Sequence, residues 1–278
     1  MTGSRMRTTA LSLVVLSVAG LAVATAARPT RPGRPAAPKP AGGVKVMASE
    51  ADPNALAVAA APALAKAAAD WKAQRTALPT AESGTGAPAY SADEVAKLLA
   101  GTEAAVQKAL GEPELKPLGD RSALVFRRAR TALGSLGNLG GGQAEKAAAD
   151  RALEPVGPFL DQLAALAGKG AVTTDLCVIS KPDPGARFAI RPASDPSAVK
   201  TLPATDGPLT AVRGLYAYRL EPVPGAKGKA IQCGWDNGSA PADAANADAC
   251  LDLFDDAKTP LVCDFAQGAC QRAAGNCS

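Results

Sequence analysis

The chain has 278 residues, 20% of them charged and only 4% aromatic, with 30 Lys and Arg against 26 Asp and Glu. It contains no histidine, which removes the commonest general base and the commonest metal ligand and makes a Ser-His-Asp triad impossible. The formal charge of +4 is local: residues 1–45 hold seven basic and no acidic side chains, leaving 23 basic against 26 acidic in the rest, so no nucleic-acid-binding domain is expected.

Residues 1–27 are laid out as a secretory signal peptide. Arg5 and Arg7 form a positive start, residues 11–23 are an apolar run, and Ala22-Val23-Ala24 and Ala24-Thr25-Ala26 are small-x-small cleavage sites. The apolar run is short for a membrane span, and no cysteine follows it to carry a lipid. Residues 28–43 alternate proline with basic side chains, which favours polyproline II, so residues 28–52 are expected to be a solvated linker. Membrane contact is expected at most through this leader and basic linker.

Residues 53–170 read as mainly helical. The segment 54–77 is alanine-rich, with Leu56, Leu64, Trp71 and Leu78 as larger apolar anchors and Pro62 as a break or kink. Residues 79–90 read as a loop. Ser91 and Glu94 have capping-box spacing and open a helix with Val95, Leu98 and Leu99 on one face. Gly101 is expected to end it and Thr102 to cap a second helix through Val106 and Leu110, stopped by Gly111 and Pro113. Residues 123–126 read as a strand after a Gly119-Asp120 turn, completing a helix-turn-helix-plus-strand unit at 91–127. A glycine-rich loop at 134–142 precedes two helices between 143 and 168.

From Thr173 the pattern changes to short strands at 176–180, 187–191, 215–221 and 230–233, with another at 261–265. The expected fold is α+β: an alanine-rich helical region, then a small antiparallel, sandwich-like β domain at 171–232, then a cysteine-rich acidic tail at 233–278. That tail carries seven Asp against Lys258 and Arg272 alone.

Two family resemblances follow from these segments. Ser180-Lys181-Pro182-Asp183-Pro184-Gly185-Ala186-Arg187-Phe188-Ala189-Ile190, with Gly214-Leu215-Tyr216-Ala217-Tyr218-Arg219-Leu220, resembles PEGA-type extracytoplasmic β domains over residues 174–232. The match has one extra residue in its turn and a longer middle segment, and it implies an accessory or surface-binding module. Gly101-Thr102, Val106 and Leu110-Gly111-Glu112-Pro113, within residues 91–126, resemble the SmpA/OmlA-type small outer-membrane lipoproteins, which implies an envelope-assembly role.

All six cysteines, Cys177, Cys233, Cys250, Cys263, Cys270 and Cys277, lie in the last third of the chain. An even set behind an export signal reads as three disulfides. No Cys-x-x-Cys pair is present to favour a metal–thiolate site, although Cys263, Cys270 and Cys277 would share a face if 264–276 were helical. Spacing leaves the connectivity open; the favoured arrangement ties Cys177 to Cys233 and places the other two bridges within 250–277.

Candidate catalytic patterns are sparse. Ser197-Ala198-Val199-Lys200 has Ser-x-x-Lys spacing but lies in a proline-rich stretch, and the nearest later partner is Lys258-Thr259-Pro260. The glycine loop lacks a Gly-Lys-Ser/Thr ending for phosphate. Asp236, Asp243, Asp248, Asp252, Asp255 and Asp256 lack the spacing of a calcium loop. No catalytic, cofactor-binding or metal residue is therefore assigned, and no cofactor is expected. The sequence points to an exported envelope protein, periplasmic or at the cell surface, that binds or scaffolds an envelope protein or cell-wall polymer without catalysis. The alternatives are an SmpA/OmlA-type assembly factor and an envelope hydrolase using carboxylates or a loop serine.

Overall fold

The computed structural model describes residues 51–78, 80–82, 88–136, 143–181, 186–203, 208–223, 229–235, 250–255 and 260–272. The expected leader and linker, most of the glycine-rich loop and Cys277 lie outside these residues.

Five helices come first. Helix α1 (Pro53–Thr76) starts where Asp52 accepts the Asn54 N–H at 3.0 Å, with Pro53 in the first turn. It runs unbroken through Pro62 and buries Ala57, Leu64, Ala67, Ala68 and Trp71 against α5 (Val156–Gly168) and α2 (Ala92–Ala109). Short strands β1 (Thr80–Glu82) and β2 (Pro88–Tyr90) form an antiparallel ribbon where a loop was expected.

Helix α2 corrects the expected stop at Gly101, which lies inside one continuous helix. Val95, Leu98, Leu99, Thr102 and Val106 make a single buried stripe across it. Thr102 does not cap a second helix; its hydroxyl donates back to the Leu98 carbonyl at 2.8 Å. The expected strand at 123–126 is also corrected. After a 3-10 turn at Pro113–Leu115, helix α3 (Lys116–Gly134) runs straight through it. Leu118, Leu124, Val125, Phe126 and Ala129 are buried along it, and four consecutive apolar residues alone do not separate a buried helix from a strand. Helix α4 (Gln143–Leu153) and α5 complete this part near the expected bounds.

Two main sheets follow. One has the order β11 (Ala269–Arg272), β10 (Leu261–Asp264), β3 (Thr173–Lys181), β6 (Pro208–Val212). The other has the order β5 (Lys200–Pro203), β4 (Arg187–Pro192), β7 (Leu215–Glu221), β8 (Ile231–Cys233), with β9 (Leu251–Asp252) also paired to β7. The pairing is not purely antiparallel, because β10 runs parallel to β3. The acidic cysteine-rich segment contributes β9, β10 and β11 and is threaded into both sheets.

The two sheets bury a shared apolar cluster that includes Leu176, Val178, Phe188, Ile190, Tyr218, Leu220 and Leu261. The helices bury another, which includes Trp71, Phe126, Phe159 and also Phe254 from just after β9. Leu124 of α3, Ala193 and Leu215 join helix to sheet. The chain is therefore a mixed α+β fold with several helices, two main sheets and disulfides toward its C-terminus.

The cysteine arrangement differs from the favoured one. Cys233 pairs with Cys250, not with Cys177. Tyr218 stands opposite Cys233 and Tyr216 opposite Leu251, so β8 and β9 lie end to end along one side of β7. This brings Cys233 beside Cys250, whereas Cys177 sits on β3 in the other sheet. Cys263 pairs with Cys270 across the β10–β11 hairpin, inside the expected 250–277 region. The hairpin replaces the helix that would have aligned Cys263, Cys270 and Cys277. Cys177 is also disulfide-bonded.

Candidate functional site: a cleft at the helix–sheet seam

A cleft of about 470 Å³ with mixed apolar and polar walls lies where the start of α1, the 3-10 turn and the two sheets meet. Its position follows from local tethers. Asn54, one residue into α1, accepts the N–H groups of Val172 and Thr173 at 3.1 and 3.2 Å and donates to the Thr173 hydroxyl at 3.0 Å. These bonds fix the helix start against β3. Gly214, in the turn between β6 and β7, has φ +140°, and a Cβ there would lie 2.1 Å from the Pro117 carbonyl oxygen. The turn is thereby seated against the first turn of α3. Asp120 of α3 accepts from the Ser194 N–H at 2.9 Å and from its hydroxyl at 2.5 Å, holding the segment after β4 in place.

The walls are largely apolar. Pro53, Pro113, Pro117, Ile190, Pro192 and Tyr216 supply rigid surface, and Glu114, Lys200 and Thr210 supply polar groups. Lys200 stands opposite Ile190 in the β4–β5 pair and so shares its face. Strands β5 and β6 both border the cleft, and among the described residues each pairs with one neighbour only. Each therefore has an edge left unpaired by the described strands. Arg213 donates its N–H to the Val172 carbonyl, while the Val212 carbonyl accepts the Tyr216 hydroxyl at 2.7 Å. By strand alternation Thr210 turns its backbone N–H and C=O the same way as Val212, away from β3.

Burial shifts two groups at or beside the cleft. Burial pushes the Tyr216 phenol well up, against a smaller downward pull from its bond to Val212. Burial also raises the Asp120 carboxyl, partly offset by the two hydrogen bonds from Ser194. Asp52 is engaged as a helix cap.

The residues weighed for chemistry are not brought together. Ser197 lies in a bend, not at a helix start, and its hydroxyl and N–H both bond Asp195 Oδ1, at 2.6 and 2.9 Å. Asp252 and Asp255 turn toward Arg121 of α3, at 2.7 and 3.3 Å. Asp236, Asp243, Asp248, Asp256, Lys258 and Thr259 lie outside the described residues. Among the described residues no group of three or more Cys, Asp or Glu is placed to hold a metal ion, and no helix is long and apolar enough to cross a membrane.

A second polar cluster, absent from the sequence reading, joins α1, β2 and α4. Arg75 donates to the Tyr90 hydroxyl at 2.8 Å, Tyr90 donates to Asp150 at 2.6 Å, and Arg75 and Lys146 both pair with Asp150. The Arg75 and Lys146 cations lie over the Tyr90 ring at 4.9 and 4.6 Å. Burial tends to raise the Asp150 carboxyl, but bonds from Tyr90, Arg75 and Lys146 outweigh this and hold it at about 2. Only Asp150–Lys146, four residues apart, was visible as a helical pair.

No family model, curated protein or solved structure matches the chain.

Proposed function

We propose that the protein is an exported binding or scaffolding protein of the cell envelope, without catalysis, that holds an extended segment of an envelope protein or cell-wall polymer in the seam cleft. The observation that carries this reading is the cleft between two strand edges left unpaired by the described strands, with Thr210 presenting its backbone outward beside apolar walls. An extended chain gains main-chain hydrogen bonds at such an edge and side-chain contacts in the adjoining groove. The disulfides fit an oxidising, extracytoplasmic compartment. The resemblance of residues 174–232 to PEGA-type modules favours the same role.

The test is co-sedimentation of the oxidised protein with an isolated envelope fraction. Thr210 is exposed, so Thr210→Trp should fill the cleft without disturbing the core. It is expected to lose most of the sedimented fraction while its melting temperature stays within a few degrees of wild type. Equal sedimentation of the two proteins would remove the cleft from the proposal.

A further inference from the structure

A hollow of about 370 Å³ lies between α1, the end of α4 and the start of α5, and shares no lining residue with the seam cleft. Trp71 of α1 borders it. This side chain is 3% exposed and belongs to the helical core, yet among the described residues its indole N–H has no hydrogen-bond partner. Gly157 of α5, also in the lining, keeps that edge of the ring uncovered: a Cβ there would lie 3.4 Å from Nε1 and 3.8 Å from Cδ1.

Two charged groups of the lining are also without a charged partner among the described residues. Arg151, in the last turn of α4, is exposed, and its one bond runs from Nε to the Ala147 carbonyl of its own helix at 3.4 Å. Glu154, one residue past α4, is exposed, and its carboxylate has no bond among the described residues. The remaining charges of the lining, Arg75 and Asp150, are already engaged with each other, and Tyr90 bonds both.

These three groups restrict what fits. A simple anion would meet Arg151 and the indole N–H but also the Glu154 carboxylate, and a simple cation would face Arg151. A ligand carrying both charges meets all three groups. A carboxylate has two oxygens, enough to accept from the indole N–H and the guanidinium together, and an ammonium group beside it can donate to Glu154. An α-amino acid carries the two on one carbon. Leu153 is the one aliphatic side chain in the lining and leaves an apolar contact for the ligand's own side chain. The volume falls within the usual range for a small-molecule site.

We propose that this hollow binds a free zwitterionic α-amino acid, with its carboxylate held by the Trp71 indole N–H and Arg151 and its ammonium group by Glu154. The proposal is independent of the seam cleft.

The chain has two tryptophans, so Trp235→Phe leaves Trp71 as the only one. Titration of this full-length oxidised variant with leucine tests the proposal, read by calorimetry and by Trp71 emission. N-acetyl-leucine and leucinamide, each lacking one charge, are the control probes. Leucine is expected to saturate one site and to change the Trp71 emission in step. Each control probe should bind about tenfold more weakly or worse, because one charge-assisted contact is lost. Arg151→Gln and Glu154→Gln, both at exposed positions, should weaken leucine by a similar factor. Gly157→Ala should abolish most of the binding, because its Cβ covers the indole N–H, while the melting temperature stays equal or rises, since the position is helical. Thr210→Trp, in the other cleft, should leave leucine binding as it is. Absence of saturation, equal affinity for either control probe, or insensitivity to Gly157→Ala would each overturn the proposal. Calorimetric binding with no change in Trp71 emission would place leucine elsewhere and overturn it as well.

Discussion

Gly214 and Gly101 show how differently one residue type acts in this chain. At Gly214 a Cβ would meet the Pro117 backbone, which has no flexible end to move aside. Gly214→Ala is expected to cost about 3 kcal/mol or more, read from denaturant midpoints, because clash and positive φ act together. Gly101 is exposed in mid-helix, with nothing within 4 Å of a built Cβ. Gly101→Ala should stabilise the protein by about 0.5–1 kcal/mol in the same assay. Asp150 makes a different kind of contribution. Its carboxyl sits at about 2 in the folded protein, below the ordinary 3.8. A depressed carboxylate contributes stability above the unfolded value and loses it as pH falls through the folded one. Wild type should therefore lose stability between about pH 4 and pH 2 relative to Asp150→Asn, in melting temperatures measured across that range. The half-exposed setting of Asp150 keeps the effect modest.

Element boundaries were legible where a local signal decided them. Ser91 before an amphipathic run, and Leu215 to Glu221 with its alternating pattern, gave α2 its start and β7 both its ends. The misplaced elements are those decided by tertiary contact. Residues 123–126 are helical because Leu124 meets Leu215 and Phe126 enters the helical core, and neither contact is local. Strand β9 is two residues long and exists because β7 and the Cys233–Cys250 bridge present it with a partner. The bridges also differ in expected weight. Cys233–Cys250 closes a separation of 17 residues and Cys263–Cys270 one of 7. On loop-closure entropy, Cys233→Ser with Cys250→Ser should cost about 3 kcal/mol and the second pair somewhat less. Guanidinium unfolding of the two double variants checks the order, and a larger loss at the hairpin pair would contradict it.

On the scale of the whole molecule, the seam cleft was not legible at all, because its walls come from residues as far apart as Pro53 and Tyr216. Composition indicated a helical part and a β part; it did not indicate that Phe254 would complete the helical core or that Arg121 would reach across to Asp252 and Asp255. This sharing predicts one cooperative unfolding transition. Trp71 reports on the helical core and Trp235, beside Arg191, on the sheet side. Fluorescence of Trp71→Phe and Trp235→Phe variants should therefore give coincident midpoints, and two separated transitions would show independent units. The parallel placement of β10 has a consequence for the order of assembly. Its neighbour β3 leaves any synthesis or export machinery about eighty residues earlier, yet is completed only when β10 slots in beside it. The helices can form from near neighbours, whereas this pairing must wait for a long loop to close. Until then β3 is a bare edge, so a chain cut before Leu261 is expected to self-associate through it rather than remain a smaller soluble version of the protein.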